Sequence, residues 1–263
     1  KLGFPTLGGA GAGLGTALAY WAVLVVIILV MLKNKLIASY QLWQWSPVQS
    51  SLLKAGLKLG LPIGLQVFAE VAIFAVVSLQ MAKFSSQVIA AHQSAMNFAT
   101  LLYAFPVSVS MALPIVISYE IGANRPQAAR QYAIIGRLTA ILFAGLTLTF
   151  LYFNRQMVAG WYGQNPVFIR LTADFLVFAL FFQLADAFTA PIQGILRGYK
   201  DTTVPFLLGL ISFWSLTFPI AFLLEGTTDL GPKAYWVGLI VGIFACGITL
   251  NIRMHIVEKR TVQ

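Results

Sequence analysis

Seven apolar stretches dominate the chain: Leu7–Met31, Ala55–Met81, Val88–Ile117, Ala133–Phe153, Leu171–Ile195, Val204–Leu224 and Ala234–Leu250. An α-helix needs about 20 apolar residues to cross roughly 30 Å of hydrocarbon, and each stretch approaches or exceeds that length. Lipid satisfies no free backbone N–H or C=O, so runs of this kind fold as helices, and none shows the ten-residue alternation of a transmembrane barrel. Only 10% of the 263 residues are charged and 59% are hydrophobic, against about 25% charged in soluble domains. The expectation is an all-α, polytopic membrane protein with about seven transmembrane helices.

The net charge of +9 does not point to nucleic acid, because the basic residues are spread between the apolar runs and form no single patch. Their distribution instead writes a topology. With alternating spans, Lys1, Lys83, Arg155, Arg170 and Lys233 fall on one side. The other side carries Lys33, Lys35, Lys54, Lys58, Arg125, Arg130, Arg137, Arg197, Lys200, Arg253, Lys259 and Arg260. This richer side is read as cytoplasmic, which places the C-terminus inside and the N-terminus outside the cytoplasmic (inner) membrane. Lys1 opens the sequence without a methionine and the first apolar run follows almost at once, so a fragment of a longer chain is expected. Cys246, the single cysteine, excludes an internal disulfide and reads as a small core residue.

Residues 33–54 form the longest polar connection, with Trp43 and Trp45 suited to headgroup level and a turn at Ser46-Pro47. The segments beginning at Leu7 and Leu230 also look alike, LGGAGAGLGTALAYW against LGPKAYWVGLIVG, as the ends of two repeats would. The expected division is therefore 1–32, the last helix of one lobe; 33–54, a linker; and 55–263, a second lobe of six helices. Gly11/Gly15, Gly60/Gly64 and Gly238/Gly242 carry the small-xxx-small spacing that permits close helix approach. Gly60, Pro62, Pro106, Pro114, Pro191 and Pro219 interrupt spans, and such breaks at membrane depth border cavities or moving parts.

Two carboxylates lie deep. Glu70 is 12 residues from Lys58 and Asp186 is 11 from Arg197, so each α-carbon sits roughly 16 to 18 Å from the basic side, near the bilayer midplane. An ionised carboxylate there costs roughly 2.5 to 3.5 kcal/mol even on the mildest scale, and no Lys or Arg lies at that depth to neutralise it. What is left is a proton held on a carboxyl, or a hard cation such as Na⁺ held by carboxylate and neutral oxygens. Gln66, His92, Asn97 and Gln183 are further polar residues within spans, candidates for a substrate cavity or for helix-to-helix hydrogen bonds. Phe182 is one of several aromatics that would suit a bulky apolar cation. The sequence contains no G-x-x-x-x-G-K-[ST], H-E-x-x-H or G-x-S-x-G, so ATP-driven transport and hydrolase chemistry are not expected, and no cofactor beyond the coupling ion is implied.

Four strings are distinctive: GLPIGLQVFAEVAIF (60–74), VIAAHQSAMNFATLLYAFPVSVSMAL (88–113), IGANRPQAARQYA (121–133) and GILRGYKDTTVP (194–205). Together they resemble the multidrug and toxic compound extrusion (MATE) family in its NorM-like branch, in family order from residue 7 to about 255. The resemblance implies two six-helix lobes that exchange Na⁺ or H⁺ for organic cations by alternating access. Residues 7–31 then resemble the sixth helix and 55–254 the seventh to twelfth, leaving the N-terminal lobe as a missing partner. It also implies a coupling-cation site at Glu70 and Asp186, ligands of Na⁺ if sodium drives transport, with Gln93 and Tyr103 at or near it. Where some members carry a tyrosine one turn before the aspartate, this chain has Phe182, which leaves the coupling ion open. The alternatives are a lipid or oligosaccharide flippase of the wider superfamily, which would need positive charge in its cavity, and a transport-inactive half-protein.

Overall fold

The computed structural model describes residues 8–33 and 47–262. Leu7, residues 34–46 with Trp43, Trp45 and Ser46, and the basic residues Lys1 and Lys35 lie outside the described residues. The chain divides into two units, Lys1–Leu53 and Lys54–Gln263. Helix α1, Gly8–Lys33, belongs to the first: 26 residues free of proline, closed by Lys33 in its last turn, where a cation complements the helix dipole.

Six long helices follow: α2 (Ser50–Gln80), α3 (Ser86–Gly122), α4 (Pro126–Gly160), α5 (Pro166–Gly198), α6 (Thr203–Thr227) and α7 (Lys233–Val262), with a 3-10 turn at Met81–Lys83. Among the described residues, seven helices are long and apolar enough to cross a membrane. They extend beyond the apolar runs at most ends, because polar residues take over the capping. Asn165 accepts from the amides of Val167 and Phe168 at 2.9 and 3.4 Å, and Pro166 opens α5 at a position that needs no N–H. Asn124, at φ 59°, takes the left-handed turn that ends α3, while the amide of Arg125 closes on the Glu120 carbonyl at 2.8 Å. The same device ends α5, with Lys200 at φ 60° and the Asp201 amide on the Leu196 carbonyl at 2.9 Å.

Helix α5 is the axis of the six-helix unit, in contact with α3, α4 and α7, while α6 and α7 form a close antiparallel pair. Its apolar core is crowned by Trp236, Tyr235 and Phe175, all wholly buried. The prolines at 62, 106, 114, 191 and 219 lie inside helices that continue past them. Pro114 has no N–H for the Ser110 carbonyl, and that freed oxygen faces Gly194 on α5, where a Cβ would collide with it. Gly238 of α7 meets the Thr217 carbonyl in the same way. Of the three glycine pairs, then, Gly238/Gly242 marks a close approach, whereas a Cβ on Gly15, Gly60 or Gly64 would meet nothing within 4 Å among the described residues.

Charged side chains collect at the two ends of the helices. At one end Lys233 pairs with Asp174 at 2.7 Å, and Lys83 lies 3.7 Å from Glu225. Tyr235 joins the latter pair, receiving a hydrogen bond from Lys83 at 3.1 Å and donating to Glu225 at 2.6 Å. At the other end Arg253 of α7 holds Asp201 at 2.6 Å, and Arg125 holds Glu120 at 2.7 Å. Asp201 and Arg253 thus tie the α5–α6 turn to α7.

Candidate ion-coupling site

The face of α2 that enters the unit is the stripe Gln66, Ala69, Ile73 and Val77, spaced three to four residues apart. Glu70 borders it. Gln66 lies one turn earlier on the same helix, and its Nε2 donates to Glu70 Oε1 at 3.1 Å. A second amide arrives from the neighbouring helix: Gln193 Nε2 donates to the same oxygen at 2.9 Å. Both donors converge on Oε1, and among the described residues Oε2 accepts no hydrogen bond. Two N–H donors on one oxygen suit a carboxylate and equally the carbonyl oxygen of a protonated carboxyl.

Asp186 lies on α5, buried at 8% exposure, and has no hydrogen-bond partner among the described residues. It is close enough to Glu70 for their charges to interact, and the Tyr103 hydroxyl lies within electrostatic reach of both. Gln193 sits seven residues beyond Asp186, about 10 Å along the helix. Side chains lean toward the N-terminus of their own helix, and α2 and α5 run in opposite directions. The Glu70 carboxyl therefore leans toward the Arg197 end of the lobe and that of Asp186 toward the opposite end. Arg197 acts on Glu70 electrostatically, and its Nε is buried without a partner among the described residues.

The other sequence candidates separate. Gln93 and Asn97 are exposed on α3, and Asn97 accepts from the Tyr162 hydroxyl at 2.8 Å, which ties α3 to the α4–α5 connection. His92 is wholly buried. Trp236 Nε1 donates to His92 Nδ1 at 3.2 Å, which leaves Nε2 to donate its hydrogen to Ser78 Oγ at 3.3 Å, so the ring bridges α2, α3 and α7. Phe182 is a core side chain, edge-on to Phe74 at 5.6 Å and to Trp236 at 6.5 Å. Gln183 is buried at 2% exposure with neither amide atom hydrogen-bonded. The residue that sequence reasoning missed is Gln193. Its signal was the spacing of seven from Asp186, which keeps both on one side of α5.

What the structure brings together is the Glu70 carboxyl with the side-chain amides of Gln66 and Gln193, and Asp186 lies within electrostatic reach of it.

Comparison with known proteins identifies the family. The sequence model of the MatE family matches residues 62–223. The chain is 54% identical over 258 residues to the "Probable multidrug resistance protein NorM" of Streptococcus pneumoniae strain R6, covering 98% of this chain and 57% of that protein. Its identity to the Bacillus subtilis protein of the same name is 43% over 269 residues, 58% of that protein's length. Among solved structures, the eukaryotic MATE transporter AtDTX14 superposes with a TM-score of 0.83 at 17% identity, over 97% of this chain and 59% of that one. The chain thus spans a little over half the length of the curated relatives it matches. A match of the MatE model across most of the six-helix unit, together with relatives alike over nearly the whole chain, makes this protein a member of the MATE family of membrane transporters.

Proposed function

We propose that the chain is the coupling half of a secondary multidrug transporter, which exchanges Na⁺ or H⁺ for organic cations by alternating access. The observation that carries this reading is the Glu70 carboxylate, fixed by two amide donors and within electrostatic reach of a buried, donor-free Asp186. A coupling ion and a cationic drug are attracted to the same negative charge, and each favours a different conformation. The helices lie in the cytoplasmic membrane with the Arg253 end and the C-terminus inside. An N-terminal lobe completes the drug path, and the multidrug resistance named for the Streptococcus pneumoniae relative supports a drug cargo.

The test uses the full-length protein that carries this chain, reconstituted in proteoliposomes, with efflux of a fluorescent organic cation driven by a Na⁺ or a pH step. Glu70→Gln and Asp186→Asn are expected to abolish driven efflux while leaving the folded protein intact by size-exclusion chromatography. Driven efflux at the wild-type rate in both variants would refute the reading.

A further inference from the structure

Glu70 is the meeting point of three side chains from two helices, and the geometry is asymmetric. Gln66 and Gln193 both donate to Oε1, at 3.1 and 2.9 Å, and Oε2 receives nothing among the described residues. A carboxylate on a flexible stem samples several rotamers, and holding it in one costs side-chain conformational entropy. Two donors from different directions, one on the same helix and one across the α2–α5 boundary, restrict both the torsion of the stem and the rotation of the carboxyl plane. We infer that Gln193 and Gln66 are positioning residues for ion coupling: an amide clamp that presents Glu70 Oε2 to the coupling cation.

This inference rests on the coupling role proposed for Glu70 and Asp186, and it adds two consequences. The clamp selects for a carboxylate with one engaged and one open oxygen, so the cation meets a prepared ligand. It also joins α2 to α5 through the site itself. Arg197, the cation that acts on Glu70 from the end of α5, and Asp186, the like charge on its other side, are the charged groups that face it. The neutral amides separate Glu70 from neither charge but fix which of its oxygens is free.

The experiment measures, in the reconstituted full-length protein, the cation concentration that half-activates efflux and the KM for the organic cation. Gln193→Met and Gln66→Met each remove one donor while keeping side-chain bulk. Each is expected to raise the half-activating concentration of the driving cation about tenfold, as loss of a hydrogen bond to a charged group does, with drug KM within about twofold of wild type. Gln193→Asn, which keeps an amide on a shorter stem, is expected to fall between. A structural role alone would lower protein yield or maximal rate without moving the cation dependence. Unchanged cation dependence in both folded methionine variants would overturn the clamp.

Failure of the clamp and failure of the coupling reading are distinguishable. If Glu70→Gln and Asp186→Asn abolish driven efflux but the glutamine variants match wild type, only the clamp falls. Should either methionine variant not fold, infrared difference spectra on cation addition take over. The carboxylate band that Glu70→Gln removes is expected to shift between wild type and whichever glutamine variant folds, or Gln193→Asn, and an unshifted band overturns the clamp.

Discussion

Replacing Gly194 by alanine puts a methyl group where the freed Ser110 carbonyl oxygen already lies. The added carbon would also stand 3.0 Å from both the carbonyl carbon and the α-carbon of Ser110. All three are backbone atoms, so no side-chain rotation relieves the clash, and α3 and α5 must separate. Overpacking of this kind costs about 1 to 3 kcal/mol. The natural control is Gly145→Ala on α4, where the new carbon meets nothing within 4 Å and helix propensity favours alanine by up to about 1 kcal/mol. Gly163→Ala lies between, since it meets the Phe168 ring at 2.8 Å and a side chain can swing. Thermal inactivation of the full-length protein in detergent, followed by size-exclusion fluorescence, should rank stability as Gly145→Ala, then Gly163→Ala, then Gly194→Ala. Equal stability of the Gly194 and Gly145 variants would mean that α3 and α5 are not in contact at this level, and the placement of Gln193 would lose its support.

Three further outcomes are expected. Tyr235→Phe deletes the hydroxyl shared by Lys83 and Glu225 and should lower stability by about 1 to 3 kcal/mol, whereas Lys83→Met, at a half-exposed ammonium, should cost under about 1 kcal/mol; equal losses would contradict the buried role of the tyrosine. Gln183→Met exchanges a buried amide without partners for an apolar chain of similar bulk, so the protein should melt higher, and a lower melting temperature would reveal hydrogen bonds to Gln183 in the membrane-embedded protein. Burial, with the Glu258 charge adding to it and Arg130 opposing, pushes the Tyr199 hydroxyl from 10.0 up to about 12. The unfolded chain then ionises first as pH rises, so this contribution to stability is complete below pH 10 and is lost between about 10 and 12. Tyr199→Phe should flatten that part of the stability profile, and an unchanged profile refutes the assignment.

The helices were legible because hydrocarbon length and backbone satisfaction leave a run such as Val204–Leu224 no other fold. The two carboxylates stood out by chain distance to the nearest basic residue, since rise per residue converts sequence into an expected depth. What sequence position does not encode is the direction of a side chain off its helix. Gln193 therefore went unnoticed although it lies on the Asp186 helix, and His92 stood among cavity candidates although Trp236 and Ser78 occupy both ring nitrogens. Spacing alone likewise treated Gly60/Gly64 and Gly238/Gly242 as equals. Only the partner helix distinguishes them, through the Thr217 carbonyl against Gly238.

The backbone of α2 keeps more distance from its neighbours than α5 keeps from α3, α4 and α7. Besides the buried side chains of Ile73 and Val77 and the ring contact of Phe74, polar ties join it to the lobe at successive heights: Glu70 to Gln193, Ser78 to His92, and Lys83, just past its end, to Tyr235. Interlocked apolar knobs resist sliding, because every partial displacement opens a dry gap. A ladder of hydrogen bonds has no such penalty between rungs, since donors and acceptors can be traded one at a time with water or with a new partner. Strain applied to α2 would therefore be released in discrete steps, and deuterium exchange along the helix should reveal it as a unit that opens separately from the α6–α7 pair.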